Sequence, residues 1–185
     1  LRELEIEGTP SADCDNGILT EGGALIQNDL FRKGHYSVQG ISSQMAIQAL
    51  APKAGSKVLD MCAAPGGKTT GIAERMGDCG TVEAWDIHPH RTELIRRNAE
   101  RLGLHSVETE VKDATVFYSE LEGCYDAVVA DVPCSGLGTI PVQPEIKLRD
   151  HTGEYADLVK IQRRILENAW KYAKPGGRVM YSTCT

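Results

Sequence analysis

Short apolar runs of strand length alternate with amphipathic helical patterns from residue 40 onward. The predicted strands span residues 57–62, 81–86, 107–112, 125–130 and 178–182, and the predicted helices span residues 42–51, 68–76, 89–102 and 155–172. The run at 125–130 is nearly all apolar, which is typical of a strand covered on both faces. Such alternation predicts an α/β fold with a doubly wound, mostly parallel sheet. Sheets of this kind bind ligands beyond the carboxyl ends of their strands.

Length and charge set bounds on the function. The chain has 185 residues and a formal net charge of -6. This length is enough for one domain with a sizeable core. The charge excludes binding of a polyanion through a general positive field, so contact with RNA requires a local basic patch or a partner domain.

Cysteine spacing and hydropathy indicate the compartment. The six cysteines include no Cys-x-x-Cys pair and no histidine spacing typical of zinc, so free thiols and no metal site are expected. No stretch resembles a signal peptide, and no apolar run approaches the ~20 residues that span a bilayer. The expected compartment is therefore the reducing cytoplasm, with no contact to a membrane.

A glycine-containing loop at residues 62–68 joins the first strand to its helix. Gly66 and Gly67 allow backbone N–H groups to approach a ligand, and the helix N-terminus favours a carboxylate or phosphate. A tight turn without a ligand is the simpler alternative. The Gly-x-Gly-x-x-Gly fingerprint is absent, whereas Gly67-Lys68-Thr69 matches the end of a phosphate loop, although Cys62 stands where that motif needs its first glycine.

Acidic residues mark the ends of three predicted strands. Asp86 ends the second strand, where an acid commonly accepts the hydroxyls of a ribose, and Asp113 and Asp131 follow the third and fourth strands. Arg91 is expected to pair with Asp86 or with a carboxylate of the ligand, or to lie on the helix surface. Solvated turn acids are the alternative to a cleft lined by carboxylates.

Two cysteines lie at the ends of what are predicted to be neighbouring strands. One is Cys134 in Asp131-Val132-Pro133-Cys134, and the other is Cys184 in Tyr181-Ser182-Thr183-Cys184. Two thiols beside an acid suit methyl transfer to an unreactive pyrimidine carbon, since a thiolate must first add to the ring. Spacing alone does not order the two thiols, and either could be a small buried apolar residue.

From about Phe31 to Thr185 the chain resembles the RsmB/Sun family of bacterial RNA cytosine-5 methyltransferases, which modify small-subunit ribosomal RNA. The resemblance rests on residues 34–39 (Gly-His-Tyr-Ser-Val-Gln), 62–68, 131–136 (Asp-Val-Pro-Cys-Ser-Gly) and 182–184. It implies the class I methyltransferase fold and S-adenosylmethionine as cofactor. The residues that it places against the cofactor are Cys62, Ala63, Ala64, Pro65, Gly66, Gly67, Lys68, Asp86, Arg91, Asp113 and Asp131.

The same resemblance assigns roles at the proposed reaction centre. It makes Cys184 the attacking nucleophile and Cys134 the residue that assists release, with Asp131 close to ring nitrogen 3. Residues 1–34 are rich in Gly and Asp with only short apolar alternation, and they are interpreted as an N-terminal appendage or a remnant of an upstream segment. The resemblance implies a methyltransferase catalytic domain at 35–185 that lacks its C-terminal strands. No protein partner is predicted.

The implied partner is ribosomal RNA, whose target base must be presented unstacked. Expected contacts are Lys147 and Arg149 in the loop before the last helix, and His35 and Tyr36 ahead of the first. By contrast, the three arginines at 96, 97 and 101 fit the solvated face of a helix.

Two other functions remain open from the sequence. One is a methyltransferase for another acceptor, and the other is a nucleoside triphosphatase that uses residues 62–69 as a degenerate phosphate loop. An enzyme that methylates an amino group would typically carry an aromatic residue at position 134, where this chain has cysteine.

Overall fold

The computed structural model describes residues 6–20, 25–140, 143–148 and 154–184. The strands are β1 (Thr9–Pro10), β2 (Ile18–Leu19), β3 (Lys57–Asp60), β4 (Thr81–Asp86), β5 (Val107–Val111), β6 (Tyr125–Asp131) and β7 (Ala173–Ser182). The α-helices are α1 (Asp29–Arg32), α2 (Ile41–Leu50), α3 (Gly67–Arg75), α4 (Pro89–Leu102) and α5 (Glu154–Tyr172). Short 3-10 helices span Ser119–Leu121, Leu137–Thr139 and Pro144–Leu148. No helix in these described ranges is long and apolar enough to cross a membrane.

The main sheet has five strands in the order β5-β4-β3-β6-β7, and every neighbouring pair is parallel. This confirms the predicted doubly wound α/β fold. The chain runs outward from β3 through β4 to β5, then crosses back to place β6 on the other side of β3. That reversal opens a crevice at the carboxyl ends of β3 and β6, where such sheets bind ligands. Strands β1 and β2 form a separate antiparallel pair.

Both faces of the sheet are covered by helices. Helices α2 and α3 pack on one face through a buried cluster that includes Ile47 and Ile72. Helix α5 packs on the other face, where Ile165 and Tyr172 join Trp85 in a second cluster. The central strands β3 and β6 are therefore mostly buried, in agreement with the nearly apolar run predicted within β6.

Most predicted element ends agree with the structure to within two residues, and α4 shows the reason. His88 is its N-cap, Pro89 occupies the first turn, and Gly103 at φ 70° forms the left-handed C-cap. The prediction for the last strand is wrong at its start, because β7 begins at Ala173 rather than Arg178. In the pairing of β6 with β7, Tyr125 lies opposite Ala173, and the next pair is Ala127 with Arg178. Residues 174–177 of β7 therefore form an irregularity opposite the single residue Asp126 of β6.

The arginines of α4 divide into two groups. Arg96 and Arg97 pair with Glu93 on the helix surface, as predicted. For Arg101 the prediction of a solvated position is wrong, because its guanidinium donates to the carbonyl oxygens of Phe31 and Tyr36 at 2.7 and 3.1 Å. Arg101 therefore fastens the N-terminal segment to α4. The proposed division of the chain at residue 34 remains a prediction.

Candidate active site

Strands β3, β4 and β6 each end in an aspartate, at Asp60, Asp86 and Asp131. These strands are neighbours in the order β4-β3-β6, so their carboxyl ends meet at one edge of the sheet. Asp60 was missed in the sequence because the predicted strand ran through it to residue 62. The sequence signal that could have identified Asp60 as a site residue is the presence of an acid inside an otherwise apolar strand.

The loop at residues 62–68 turns tightly between β3 and α3. Gly66 has φ +104°, and a Cβ atom at this position would lie 3.1 Å from the Cα atom of Ile95. The loop is held to β4 by a hydrogen bond from Ala63 N to Trp85 O of 2.8 Å. A side chain at position 66 would therefore be strained and pressed against α4, so glycine is favoured where the loop enters the N-terminus of α3.

Asp86 and Arg91 form an ion pair beside this loop. Asp86 is 4% exposed, and its Oδ1 accepts a hydrogen bond of 3.0 Å from His88 N. Arg91 Nη1 lies 3.5 Å from Asp86 Oδ2, and its Nη2 donates to Ala64 O at 3.1 Å. The guanidinium thus bridges the glycine loop and the acid at the end of β4.

Asp113 follows β5 and lies near Asp86, because Lys112 N donates to Asp86 O at 3.2 Å. Its Oδ1 accepts hydrogen bonds from the backbone N and the hydroxyl of Thr115, at 2.8 and 2.7 Å. This carboxylate is therefore held in a local turn at the outer part of the crevice.

Asp60 is fully buried at the centre of the site. Its Oδ2 accepts a hydrogen bond of 2.8 Å from Thr69 Oγ1, whereas its Oδ1 has no hydrogen-bond partner among the described residues. Burial raises the pKa of Asp60 to about 6. Burial, together with the charges of Asp60, Asp86 and Asp131, raises the pKa of Cys62 to about 12. The Cys62 sulfur therefore stays protonated and is a poor nucleophile.

Asp131 is held by two side chains from different elements. Lys68 Nζ, from the first turn of α3, donates to its Oδ2 at 2.7 Å. Ser182 Oγ, at the end of β7, donates to its Oδ1 at 2.6 Å. The Asp131 side chain remains 36% exposed to the crevice. Sequence reasoning did not single out Ser182 by itself.

The two cysteines at the strand ends meet. The structure joins Cys134 and Cys184 by a disulfide, with 6.0 Å between their Cα atoms, so the expectation of free thiols is wrong for this pair. Strands β6 and β7 are neighbours, and Val132 N donates to Ser182 O at 3.0 Å just before the two cysteines. Gln162 Nε2 of α5 donates to Pro133 O at 2.8 Å and supports the segment that carries Cys134.

The residues expected to contact RNA lie in different settings. His35 and Lys147 are exposed, whereas Arg149 lies outside the described residues. The Tyr36 hydroxyl donates to Leu25 O at 2.6 Å, so this side chain braces the N-terminal segment. Arg163 and Arg164, which were not singled out in the sequence, are exposed on α5 next to Gln162.

The geometry disfavours a phosphate loop. In such a loop the final hydroxyl coordinates a metal ion, but the Thr69 side chain is fully buried and donates to Asp60. Lys68 Nζ is bound to Asp131. Within the described part of the chain, no group of three or more His, Cys, Asp or Glu side chains is arranged to hold a metal ion.

A parallel sheet in this order, with a glycine loop after its central strand and acids at the strand ends, is the fold of the class I S-adenosylmethionine-dependent methyltransferases. Residues 47–185 match the family model described as 16S rRNA methyltransferase RsmB/F. The chain belongs to this family, which confirms the resemblance seen in the sequence.

Individual relatives agree with this assignment. The probable ribosomal RNA small subunit methyltransferase B of Bacillus subtilis is 40% identical over 164 residues, which cover 88% of this chain and 37% of the relative. The chain thus spans well under half the length of that curated relative. A methyltransferase homolog protein from Pyrococcus horikoshii has a TM-score of 0.83 at 30% identity, over 99% of this chain and 58% of that one. NSun6 from Pyrococcus horikoshii, solved with SFG, has a TM-score of 0.77 at 32% identity, over 88% of this chain and 41% of that one.

Proposed function

We propose that this chain carries the catalytic centre of an enzyme that methylates carbon 5 of cytosine in small-subunit ribosomal RNA, with S-adenosylmethionine as the methyl donor. The observation that carries the proposal is the meeting of Cys134 and Cys184 beside Asp131 at the carboxyl edge of the sheet. The names of the matched family and of the Bacillus subtilis relative support ribosomal RNA as the substrate class.

The residues around the glycine loop fit S-adenosylmethionine. The loop leads into the N-terminus of α3, which favours an anionic group, and the buried acid Asp86 ends the neighbouring strand, where a ribose is commonly bound. The proposed contacts are the loop at 62–68 with Asp86, Arg91, Asp113 and Asp131. When bound, the cofactor supplies an electrophilic methyl group.

Cys184 is the proposed nucleophile. Its thiolate adds to carbon 6 of the cytosine ring, which raises the electron density on carbon 5. Negative charge then develops toward ring nitrogen 3, which is proposed to lie beside the carboxyl group of Asp131 and its partner Lys68. The ammonium group of Lys68, 2.7 Å from Asp131 Oδ2, adds positive charge at the same place.

Cys134 is proposed to assist release of the product. After carbon 5 has taken the methyl group from the sulfonium, its proton passes to a base, for which the Cys134 thiolate is proposed. The electron pair of the C5–H bond then re-forms the ring double bond and expels Cys184 from carbon 6 as a thiolate. Cys134 is the side chain bonded to Cys184 in the structure, which supports a role for it in this second half of the reaction. Both thiols must be reduced for the proposed chemistry. This requirement favours the cytoplasm as the working compartment.

Cofactor binding is tested first, by calorimetric titration of this chain with S-adenosylmethionine, S-adenosylhomocysteine and ATP with magnesium. Binding of the first two compounds without ATP is the expected result. Binding of ATP with magnesium alone would instead identify residues 62–69 as a phosphate loop and overturn the proposal.

The two thiol roles are tested with the full-length protein and an RNA that contains 5-fluorocytosine, because fluorine at carbon 5 blocks the final elimination. The wild-type protein should form a covalent adduct that survives denaturing electrophoresis. Cys184→Ala should abolish both adduct and methylation, whereas Cys134→Ala should accumulate adduct with unmodified RNA. Cys79→Ala removes an exposed free thiol and serves as the matched control. If the phenotypes of the two site variants were exchanged, the assigned roles would be wrong.

A further inference from the structure

Ser182 is tied to the acid of the proposed reaction centre by strand register. Asp131 and Ser182 are direct partners in the parallel pairing of β6 with β7. Directly paired residues project their side chains to the same face of the sheet. Ser182 Oγ accordingly donates a hydrogen bond of 2.6 Å to Asp131 Oδ1.

The two donors to Asp131 differ in rigidity. Ser182 has one short side-chain torsion and lies on a strand, whereas Lys68 reaches Asp131 Oδ2 through a flexible four-carbon stem. A substrate base can displace the lysine from one carboxyl oxygen while the serine keeps the other. The carboxyl plane is then preserved when the base arrives.

The Ser182 hydroxyl is not needed to hold the two strands together. Backbone pairing joins Ala127–Asp131 to Arg178–Ser182 residue by residue, and it continues through the hydrogen bond from Val132 N to Ser182 O. The hydroxyl therefore adds orientation of a side chain rather than attachment of a strand. Ser182 also precedes Cys184 by two residues, so its bond links the acid on β6 to the segment that carries the proposed nucleophile.

We propose that Ser182 is a positioning residue for Asp131: it occupies Oδ1 and thereby aims Oδ2 at the cytosine ring. This inference rests on the proposed function. The Ser182 hydroxyl acts through Asp131 and contacts neither the RNA nor the cofactor.

The test uses the full-length protein with Ser182→Ala, Ser182→Thr and the control Ser119→Ala, which deletes an exposed hydroxyl in a 3-10 helix. Loss of orientation should lower kcat about 10- to 100-fold in Ser182→Ala and slow adduct formation with 5-fluorocytosine RNA to a similar degree. The affinity for S-adenosylmethionine and the KM for RNA should change much less than kcat, because the loop at 62–68, Asp86 and Arg91 are untouched, and the Tm should stay close to wild type. Ser182→Thr keeps the hydroxyl and should restore kcat, because threonine is well accommodated in strands.

Three results would overturn the inference. They are an unchanged kcat in Ser182→Ala, a fall in cofactor affinity or Tm that accounts for the lost activity, and a failure of Ser182→Thr to restore kcat. The wild-type protein separates this inference from the proposed function. If the wild type forms neither adduct nor 5-methylcytosine, the proposed function fails, and the inference fails with it.

Discussion

The buried carboxyl of Asp60 predicts a measurable dependence of stability on pH. Its side chain is fully buried, only Thr69 donates to it from a side chain, and burial raises its pKa from the ordinary value of 3.8 to about 6. The difference corresponds to ~3 kcal/mol, since one pKa unit is about 1.4 kcal/mol. An ionised Asp60 at neutral pH therefore destabilises the folded chain by up to this amount.

The sign follows from linkage. A carboxyl whose pKa is higher in the folded state than in the unfolded state binds protons more strongly when folded. Its favourable contribution is complete below pH 3.8 and is lost as the pH rises through about 6. In Asp60→Asn this dependence is absent. The unfolding free energy of the variant minus that of the wild type should therefore increase by ~3 kcal/mol between pH 4 and pH 7.5.

Urea unfolding of both proteins at half-unit pH steps measures this difference. Because all other titrating groups are shared, subtraction isolates Asp60. Thr69→Val is a second variant: it removes the hydrogen bond that lowers the pKa of Asp60, so the transition should move to higher pH. It should also destabilise the chain at pH 7.5 by about 1–3 kcal/mol. A difference between Asp60→Asn and wild type that stays constant from pH 4 to pH 7.5 would refute this account.

Three further perturbations have defined outcomes. Gly34→Ala places a Cβ atom 1.9 Å from the Arg101 carbonyl oxygen, at a backbone φ of +78°. The variant should be less stable by at least ~1–3 kcal/mol and should expose the N-terminal segment to protease. An unchanged Tm and an unchanged cleavage rate would contradict this. Tyr125→Phe removes the 2.7 Å hydrogen bond to the buried carboxylate of Glu83. It should lower the unfolding free energy, measured by urea titration, by about 1–3 kcal/mol. A change near zero would show that this hydrogen bond does not stabilise the fold. The two cysteines joined in the disulfide should react with iodoacetamide only after reduction, and methyl transfer should require reductant; equal labelling with and without reductant would show that they are not paired.

The sequence carried enough information to predict the sheet and most of its helices. Residues 89–103 combine proline in the first turn with glycine past the end, and both signals act locally. The start of β7 could not be predicted in this way, because Lys174-Pro175-Gly176-Gly177 is locally a turn. Its inclusion in the strand depends on pairing with Tyr125 and Ala127, some 50 residues earlier in the chain.

The candidate site shows the same division between local and long-range information. Cys134 and Cys184 could be brought together from the sequence, because each follows a recognisable strand and neighbouring parallel strands end at one edge. Asp60 could not be identified by apolar periodicity, which treats an acid within a strand as an exception. The role of Arg101 depends on the carbonyl oxygens of Phe31 and Tyr36, 65 or more residues away in the chain, and helix periodicity contains no information about such partners.

Pairing of acids with cations bears on the proposed binding of RNA at a crevice that is lined by four carboxylates, those of Asp60, Asp86, Asp113 and Asp131. Unpaired carboxylates would repel RNA from a chain that already has a net charge of -6. Asp86 is paired with Arg91, and Asp131 is paired with Lys68. The local field is therefore much weaker than the number of acids suggests, and a cationic sulfonium group and a neutral base can both be held through short-range contacts. Under the proposed function, attraction of RNA phosphates then has to come from cations outside the crevice, within a Debye length of about 8 Å of the RNA backbone.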